Sequence, residues 1–314
     1  MTVQVKKIVL APMEGVVDAL MRELLSSINH YDLCITEFLR VVDTLEPKHK
    51  FFKICPELSK NSHTANNTPV RIQLLGQEPD WLAENAIRAI ELGSQGVDIN
   101  FGCPAKTVNK NKGGAVLLKD PELIFKIMTN VRQAVEPKHE VSAKVRLGFD
   151  DTSLFNEVVD AIYQAKVNTV TVHARTKRNG YKPPAFWPYI GELPQYKNFE
   201  VIANGEIWSA EDAKKCMLSS KTHNIMLGRG ALAMPNLCDT IKNKEPTMLF
   251  SSLLLLLLKY ARLEKNNNYY YFSSRLKQWL KYLKINFPET ELLFEQLKKL
   301  DRKEDIITLI KAFS

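Results

Sequence analysis

Between residues 6 and 232 short apolar runs alternate with helical patterns, and no other feature restricts the fold as much. The runs begin near Ile8, Leu33, Val70, Val97, Val141, Thr169, Glu200 and Ile225. Most are followed by an amphipathic stretch, such as VDALMRELLSSI after the first, WLAENAIRAIELG after the third and LFNEVVDAIYQAK after the fifth. Repeated strand–helix units without a polar edge strand predict a parallel sheet covered by helices. Eight units in about 230 residues fit a closed (β/α)8 TIM barrel better than an open doubly wound sheet. No G-x-G-x-x-G follows the first run, which weakens the dinucleotide-binding alternative. Helix ends are marked too: Asp120-Pro121 and Ser209 read as starts, and Gly93 as a stop.

The alternation ends near Leu232. NKEPTM reads as a linker, and residues 251 to 314 read as helix only: LLLLLLKYARLEK, SSRLKQWLKYLK, ELLFEQLKKL and EDIITLIKAF. The sequence thus predicts a barrel over residues 1–243 and a small helical bundle over 244–314. NNNYYY at 266–271 reads as a turn with exposed aromatics. The net charge is +8, and the last 64 residues, with 12 Lys+Arg against 7 Asp+Glu, carry +5 of it. A basic tail on a nearly balanced body points to a polyanion such as nucleic acid, or else to a solvated lysine face. The longest unbroken apolar run is the six leucines 253–258. A membrane span needs about 20 residues. The N-terminus reads as a strand and not a signal peptide. Five cysteines with no C-x-x-C spacing argue against a disulfide frame or a structural zinc and fit a reducing cytoplasm. No protein partner is evident, and a monomer is expected.

In an eight-fold barrel the active site lies at the C-terminal ends of the strands. The residues at those ends are polar: Pro12-Met13-Glu14, Glu37 and Arg40, Gln73, Asn100 and Cys103, Lys144 and Arg146, His173 and Arg175, Asn204-Gly205-Glu206, and Gly228-Arg229. The last two sets carry glycines where backbone N–H groups can approach a ligand, on the strands that usually form the phosphate site. Lys144 lies within an apolar strand and requires an anion nearby. It can serve as a Schiff-base lysine or face an anionic cofactor ring. Gln73 can pair with a ring edge that both donates and accepts. His173 reads equally as general base, phosphate donor or core residue. Cys103, between Gly102 and Pro104 on a loop over the mouth, is a thiol available for chemistry, whereas Cys34 inside LCI reads as core.

APMEG (11–15), ITEF (35–38), VRIQLLGQ (70–77), VDINFGCP (97–104), GGA (113–115), KVRLG (144–148), VHARTK (172–177), ANGEI (203–207) and GRGAL (228–232) together look like the bacterial tRNA-dihydrouridine synthases. The order and spacing match along the whole barrel, and N-x-G-C-P is the most specific piece. ITEFLRVVD and the RLEK…RLKQWL pattern are most similar to the C-type branch, which acts on uridine 16. The resemblance implies bound FMN, NADPH (or NADH) as reductant, and reduction of the 5,6 double bond of a uridine in the tRNA D-loop. It implies that Cys103 is the acid that protonates C5. Pro12, Met13, Glu14, Gln73, Lys144, His173, Asn204, Gly205, Glu206, Gly228 and Arg229 match the flavin grip. Asn100 matches a contact to the target nucleotide, and Arg40, Lys182, Arg275, Lys277 and Lys298 match tRNA contacts. Lys182 and Lys298 stand where relatives use arginine; they keep the charge and lose the bidentate grip.

Three other readings compete. A flavin barrel acting on a free pyrimidine, of the dihydroorotate or dihydropyrimidine dehydrogenase type, shares the cofactor grip but leaves the basic tail unexplained. An aldolase would use Lys144 as a Schiff base. A tRNA-binding module with an inactive barrel would have no use for Cys103, Lys144 and Gln73.

Overall fold

The eight apolar runs are the eight strands of a closed barrel. A computed structural model describes residues 4–265 and 270–313. In it β1 (Lys7–Leu10), β2 (Leu33–Arg40), β3 (Val70–Leu75), β4 (Gly96–Asn100), β5 (Glu140–Gly148), β6 (Thr169–Thr176), β7 (Glu200–Asn204) and β8 (Asn224–Leu227) pair in sequence order, all parallel, and β8 returns to β1. Every strand starts within one residue of its expected position. Side chains alternate between two environments, as a strand requires. Val9, Leu33, Ile35, Ile202 and Met226 form a small separate cluster inside the barrel. Ile8, Leu10, Cys34 and Ile225 join the large core shared with the helices.

The barrel helices are α1 (Ala19–Ser26), α2 (Lys48–Ile54), α3 (Pro79–Glu91), α4 (Lys106–Lys110), α5 (Pro121–Ala134), α6 (Phe155–Gln164), α7 (Pro188–Gly191) and α8 (Ala210–Ser220). The short α9 (Arg229–Ala233) and α10 (Leu237–Lys242) follow the last strand. The expected starts are real caps: Asp120 Oδ1 accepts from Leu123 N at 2.9 Å, and Ser209 Oγ from Asp212 N at 3.1 Å. Gly93, with φ +106°, follows α3 as expected. The stretch after β2 that reads as irregular holds α2 and a 3-10 turn at Pro56–Lys60. Only Phe51 of α2 is buried, so its sequence lacks an apolar stripe to betray it. Beneath it Arg22 and Glu57 form a buried two-point ion pair, with both N···O distances 2.9 Å.

The linker is held down by Asn236, which donates to Pro246 O at 2.9 Å and accepts from Met248 N at 3.0 Å. Beyond it lie α11 (Phe250–Leu263), α12 (Tyr271–Leu283), α13 (Thr290–Leu297) and α14 (Lys303–Ala312). The leucine run is packed rather than exposed: five of its six side chains are buried and only Leu255 faces solvent. So broad an apolar face suits a helix wedged between α1 of the barrel and α14 of the bundle. On α12, Leu276, Trp279, Leu280 and Leu283 are all buried. Trp279 Nε1 donates to Leu232 O at 3.0 Å and so ties the bundle to the barrel. Residues 266–269 of the expected aromatic turn lie outside the described residues; Tyr270 is exposed. Among the described residues no helix is long and apolar enough to cross a membrane.

Candidate active site

At the C-terminal ends of the strands lies a cavity of about 680 Å³, to which every strand or the turn after it contributes. It brings together Cys103, Asn100 and all of the residues expected to grip a flavin: Pro12, Met13, Glu14, Gln73, Lys144, His173, Asn204, Gly205, Glu206, Gly228 and Arg229. Residues 146, 173 and 204 are adjacent because β5, β6 and β7 pair in register: Arg146 stands beside His173, and His173 beside Asn204, with Lys144 one pair back beside Thr171.

The Cys103 loop is fixed from several sides. Asn100 Oδ1 accepts from Gly102 N at 2.8 Å and from Cys103 N at 2.9 Å, closing a turn directly after β4. Arg146 Nε donates to Gly102 O at 2.8 Å. The Cys103 carbonyl accepts from Ala115 N at 3.0 Å and Asn109 Nδ2 at 2.9 Å. The GGA segment explains itself here. Gly114 has φ +67°, and a Cβ on it would come within 2.8 Å of Cys103 O. Cys103 is half-buried, and its thiol is pushed above the usual value chiefly by burial and also by Glu14, against the backbone N–H of Ala105 and the weaker pulls of Arg146 and Lys144. The thiol therefore keeps its proton at neutral pH. Cys34, Cys55, Cys216 and Cys238 are buried.

Gln73 is oriented by a buried chain of hydrogen bonds. Its Nε2 donates to Asp98 Oδ2 at 2.7 Å, and its Oε1 accepts from Asn100 Nδ2 at 2.8 Å. Asp98 is pinned in turn by Ser142 Oγ, with burial raising its pKa. One N–H of Gln73 remains for a ligand. Asn100 thus serves both as the strut of the Cys103 loop and as the clamp on Gln73. Lys144 is different: its Nζ makes no hydrogen bond or ion pair among the described residues. Burial and the neighbouring Arg146 bring its pKa down to about 8.

The third corner is cationic. Glu206 Oε1 bridges Arg175 Nη2 at 2.7 Å and Arg229 Nη2 at 2.8 Å. Gly205 has φ +115°, and a Cβ on it would lie 2.9 Å from His173 Cδ2, so the turn can only close over the imidazole as glycine. Burial, with Arg146, Lys144, Arg175 and Arg229 adding to it, keeps His173 neutral. Arg175 Nη1 lies 3.3 Å from His173 Nε2 and can only donate, so Nε2 is the bare nitrogen.

Three aromatic residues of the site escape sequence reasoning. Tyr181, exposed on the loop after β6, lies under both Arg146 (5.3 Å) and Arg229 (5.2 Å). Trp208 also packs its ring against Arg229, at 5.1 Å. Tyr282 reaches the cavity from α12. It stands seven residues after Arg275, on the same helix face, and that spacing was a usable signal. The expected tRNA contacts do not line the cavity. Arg40 and Lys182 are exposed. Lys298 is exposed beside Glu295, and Lys277 pairs with Asp301 at 3.1 Å. Arg275, expected on a solvent-facing flank of α12, is turned to the barrel instead, with its side chain 12% exposed.

An anion-seeking lysine, a fixed amide edge, a cationic corner and a protonated thiol in one cavity suit a flat, anionic cofactor beside a substrate that needs a proton. A family profile described as dihydrouridine synthase (Dus) matches residues 9–313. The chain belongs to the dihydrouridine synthase family. Its similarity to individual members runs end to end. It is 51% identical over 306 residues to the tRNA-dihydrouridine(16) synthase of Shewanella oneidensis, covering 97% of both chains. It is 51% identical over 308 residues to the protein of that name from Escherichia coli (strain K12), covering 98% of both. With the one from Vibrio cholerae it shares 46% over 309 residues, 98% of this chain and 96% of the relative. The aldolase reading is thereby replaced: the chain belongs to a family of dihydrouridine synthases, and Lys144, without a hydrogen bond or ion pair among the described residues, lines its cavity.

Proposed function

We propose that this chain reduces the 5,6 double bond of a uridine in the tRNA D-loop, at position 16, with FMN as bound cofactor and NADPH as reductant. The observation that carries the reading is the pairing, in one cavity, of an ammonium without a partner among the described residues and a thiol that keeps its proton. The residues present fit FMN. Lys144 Nζ has no acceptor among the described residues and suits the edge of the ring that becomes anionic on reduction. The Gln73 amide, held by Asp98 and Asn100, has one N–H left for the ring. Arg229, at the turn after β8 and lining the cavity, offers a guanidinium to one phosphate. When bound, FMN supplies the hydride that goes to C6 of the uracil.

The protein's own part is the proton. Cys103 Sγ carries it at neutral pH and delivers it to C5, which is the work of a positioned general acid. Asn100, Arg146 and Gly114 keep that sulfur in place. Neutral His173 holds the base of the cationic corner without adding charge. The basic tail and the exposed Arg40, Lys182 and Lys298 offer a surface for the RNA backbone, which is recognised by shape and phosphate. That surface favours tRNA over a free pyrimidine. The bundle supports the reading through Tyr282, which places a bundle residue at the mouth of the cavity.

The test is a map of dihydrouridine in tRNA from a strain lacking this chain. Position 16 should read as uridine, and should be restored by the wild-type chain but not by Cys103→Ala. The Cys103→Ala protein should stay yellow and be bleached by NADPH, while its oxidation by tRNA falls roughly 10²-fold or more. Recovery of FAD, or of no flavin after reconstitution, would sink the cofactor; wild-type turnover in Cys103→Ala would sink the acid.

A further inference from the structure

We infer that Asp98 is a positioning residue of the cofactor site: buried beneath the cavity, it fixes which way the Gln73 amide faces and so makes Gln73 a hydrogen-bond donor to the ligand. The inference rests on the reading of the cavity as a flavin site.

Strand register puts the parts together. Gln73 on β3 stands beside Asp98 on β4, and on β5 Ser142 stands beside Asp98 and Lys144 beside Asn100. Side chains two apart on a strand share a face. Arg71 with Gln73, Asp98 with Asn100, and Ser142 with Lys144 are three such pairs on neighbouring strands. Arg71, Gln73, Asp98, Asn100 and Ser142 are all buried. Gly96 leaves the room that Arg71 occupies, since a Cβ there would stand 3.2 Å from Arg71 Nε and 2.3 Å from Glu140 O.

The hydrogens of this row follow from its two ends. At the cavity end Gly102 N and Cys103 N can only donate, so Asn100 Oδ1 is the acceptor and Nδ2 the donor to Gln73. Gln73 Oε1 is thereby the accepting atom, and Nε2 turns to Asp98 Oδ2 at 2.7 Å. At the far end Arg71, held by Glu140 at 2.5 Å, can only donate, and its Nη1 reaches Ser142 Oγ at 3.0 Å. The one hydroxyl hydrogen of Ser142 then goes to Asp98 Oδ1 at 2.5 Å. Two donors converge on one carboxyl group, one at each oxygen, which suits its ionised form. Burial opposes that charge, while the two hydrogen bonds, Arg71 and Lys144 favour it.

The consequence lies at the cavity. If the Gln73 amide turned over, Nε2 would meet Asn100 Nδ2, donor against donor, and Oε1 would meet the Asp98 carboxylate. Asn100 cannot turn to relieve this, because two backbone N–H groups hold its oxygen. Gln73 therefore keeps one orientation and offers its second N–H to an acceptor on the ring, a carbonyl oxygen or a bare nitrogen.

The test is a paired exchange. Asp98→Asn leaves at least one hydrogen of the row without an acceptor, whichever way the new amide turns. Adding Gln73→Glu completes the row again: the amide at 98 donates to one carboxylate oxygen at 73, and the other accepts from Asn100. Position 73 then has no N–H for the ring. Two quantities are read: Tm of the flavin-free protein, and the FMN dissociation constant by fluorescence titration. Asp98→Asn should melt about 2–5 °C below wild type and bind FMN about tenfold more weakly, as expected for a lost buried hydrogen bond. The double variant should recover most of that Tm and still bind FMN at least about tenfold more weakly than wild type, a split that packing alone would not produce. Wild-type FMN affinity in either variant, or a double-variant Tm no higher than that of Asp98→Asn, would overturn the inference. If the wild-type chain binds no FMN, the flavin reading fails, and the melting series still decides whether the row runs in this direction.

Discussion

Lys144 gives the most direct test of how the cavity is built. Its ammonium lies among Arg146, Asp98 and Cys103, with no acceptor in reach among the described residues. Burial, reinforced by Arg146, lowers its pKa from 10.5 to about 8, against the opposing pull of Asp98. The folded value lies below the unfolded one. Between those two pH values the unfolded chain holds a proton that the folded chain has released, so stability rises with pH across the window. The penalty is full below pH 8 and is gone above the unfolded value. At about 1.36 kcal/mol per unit, it comes to about 3 kcal/mol as an upper bound, since part of the side chain faces the water of the cavity.

Lys144→Met removes the charge and keeps the stem. Unfolding entropy is about 2.1 cal/mol/K per residue, so for this 314-residue chain about 3 kcal/mol raises Tm by about 5 °C. The flavin-free variant should therefore melt up to about 5 °C above wild type at pH 7, and the gap should close as the pH passes the unfolded lysine value. The same variant should bind FMN more weakly, because an anionic ring is what offsets the ammonium. Thermal melts of flavin-free protein across a pH series read the first effect, and fluorescence titration reads the second. A variant less stable than wild type at pH 7, or a gap that does not change with pH, would refute the reasoning.

Gly114→Ala places a methyl group against the Cys103 carbonyl at a left-handed backbone position, and should lower stability by about 1–2 kcal/mol. It should cut tRNA turnover at least tenfold while NADPH still bleaches the flavin; unchanged turnover would show that the loop does not position the thiol. Glu57→Gln leaves the guanidinium of Arg22, which is fully buried, without its counter-charge, and should cost about 3–5 kcal/mol in a denaturant titration. A loss under about 1 kcal/mol would mean that the pair is not isolated from water.

The barrel was legible because its information is local. Each strand is a run of apolar residues flanked by a helix whose stripe, cap or stop is written nearby, as with Asp120-Pro121 and Gly93. Closure then follows from counting, since eight parallel strands leave no edge to protect. The polar lining of the cavity was legible for the same reason: a lysine at 144 or a glutamine at 73 is out of place in an apolar strand unless it faces a cavity. Elements with weak stripes were not legible. Helix α2 buries only Phe51, and the short α4 and α7 have too few turns to show a period.

Contacts between distant segments were the other gap. A helical wheel gives the angle of Arg275 on α12, but it does not say what lies at that angle. The acceptors that decide its role, Gly15 O, Val16 O and Asp18, stand some 260 residues earlier, and two of them are backbone atoms with no side-chain signature. Tyr181 is hidden for a related reason: an aromatic residue in a loop gains its meaning from Arg146 and Arg229, which reach it from other strands. On the other flank of α12, Lys277 has one counter-ion and Lys281 stands exposed. Arg275 itself stands at the seam between α12 and the start of α1, where it meets Val16 O and Asp18.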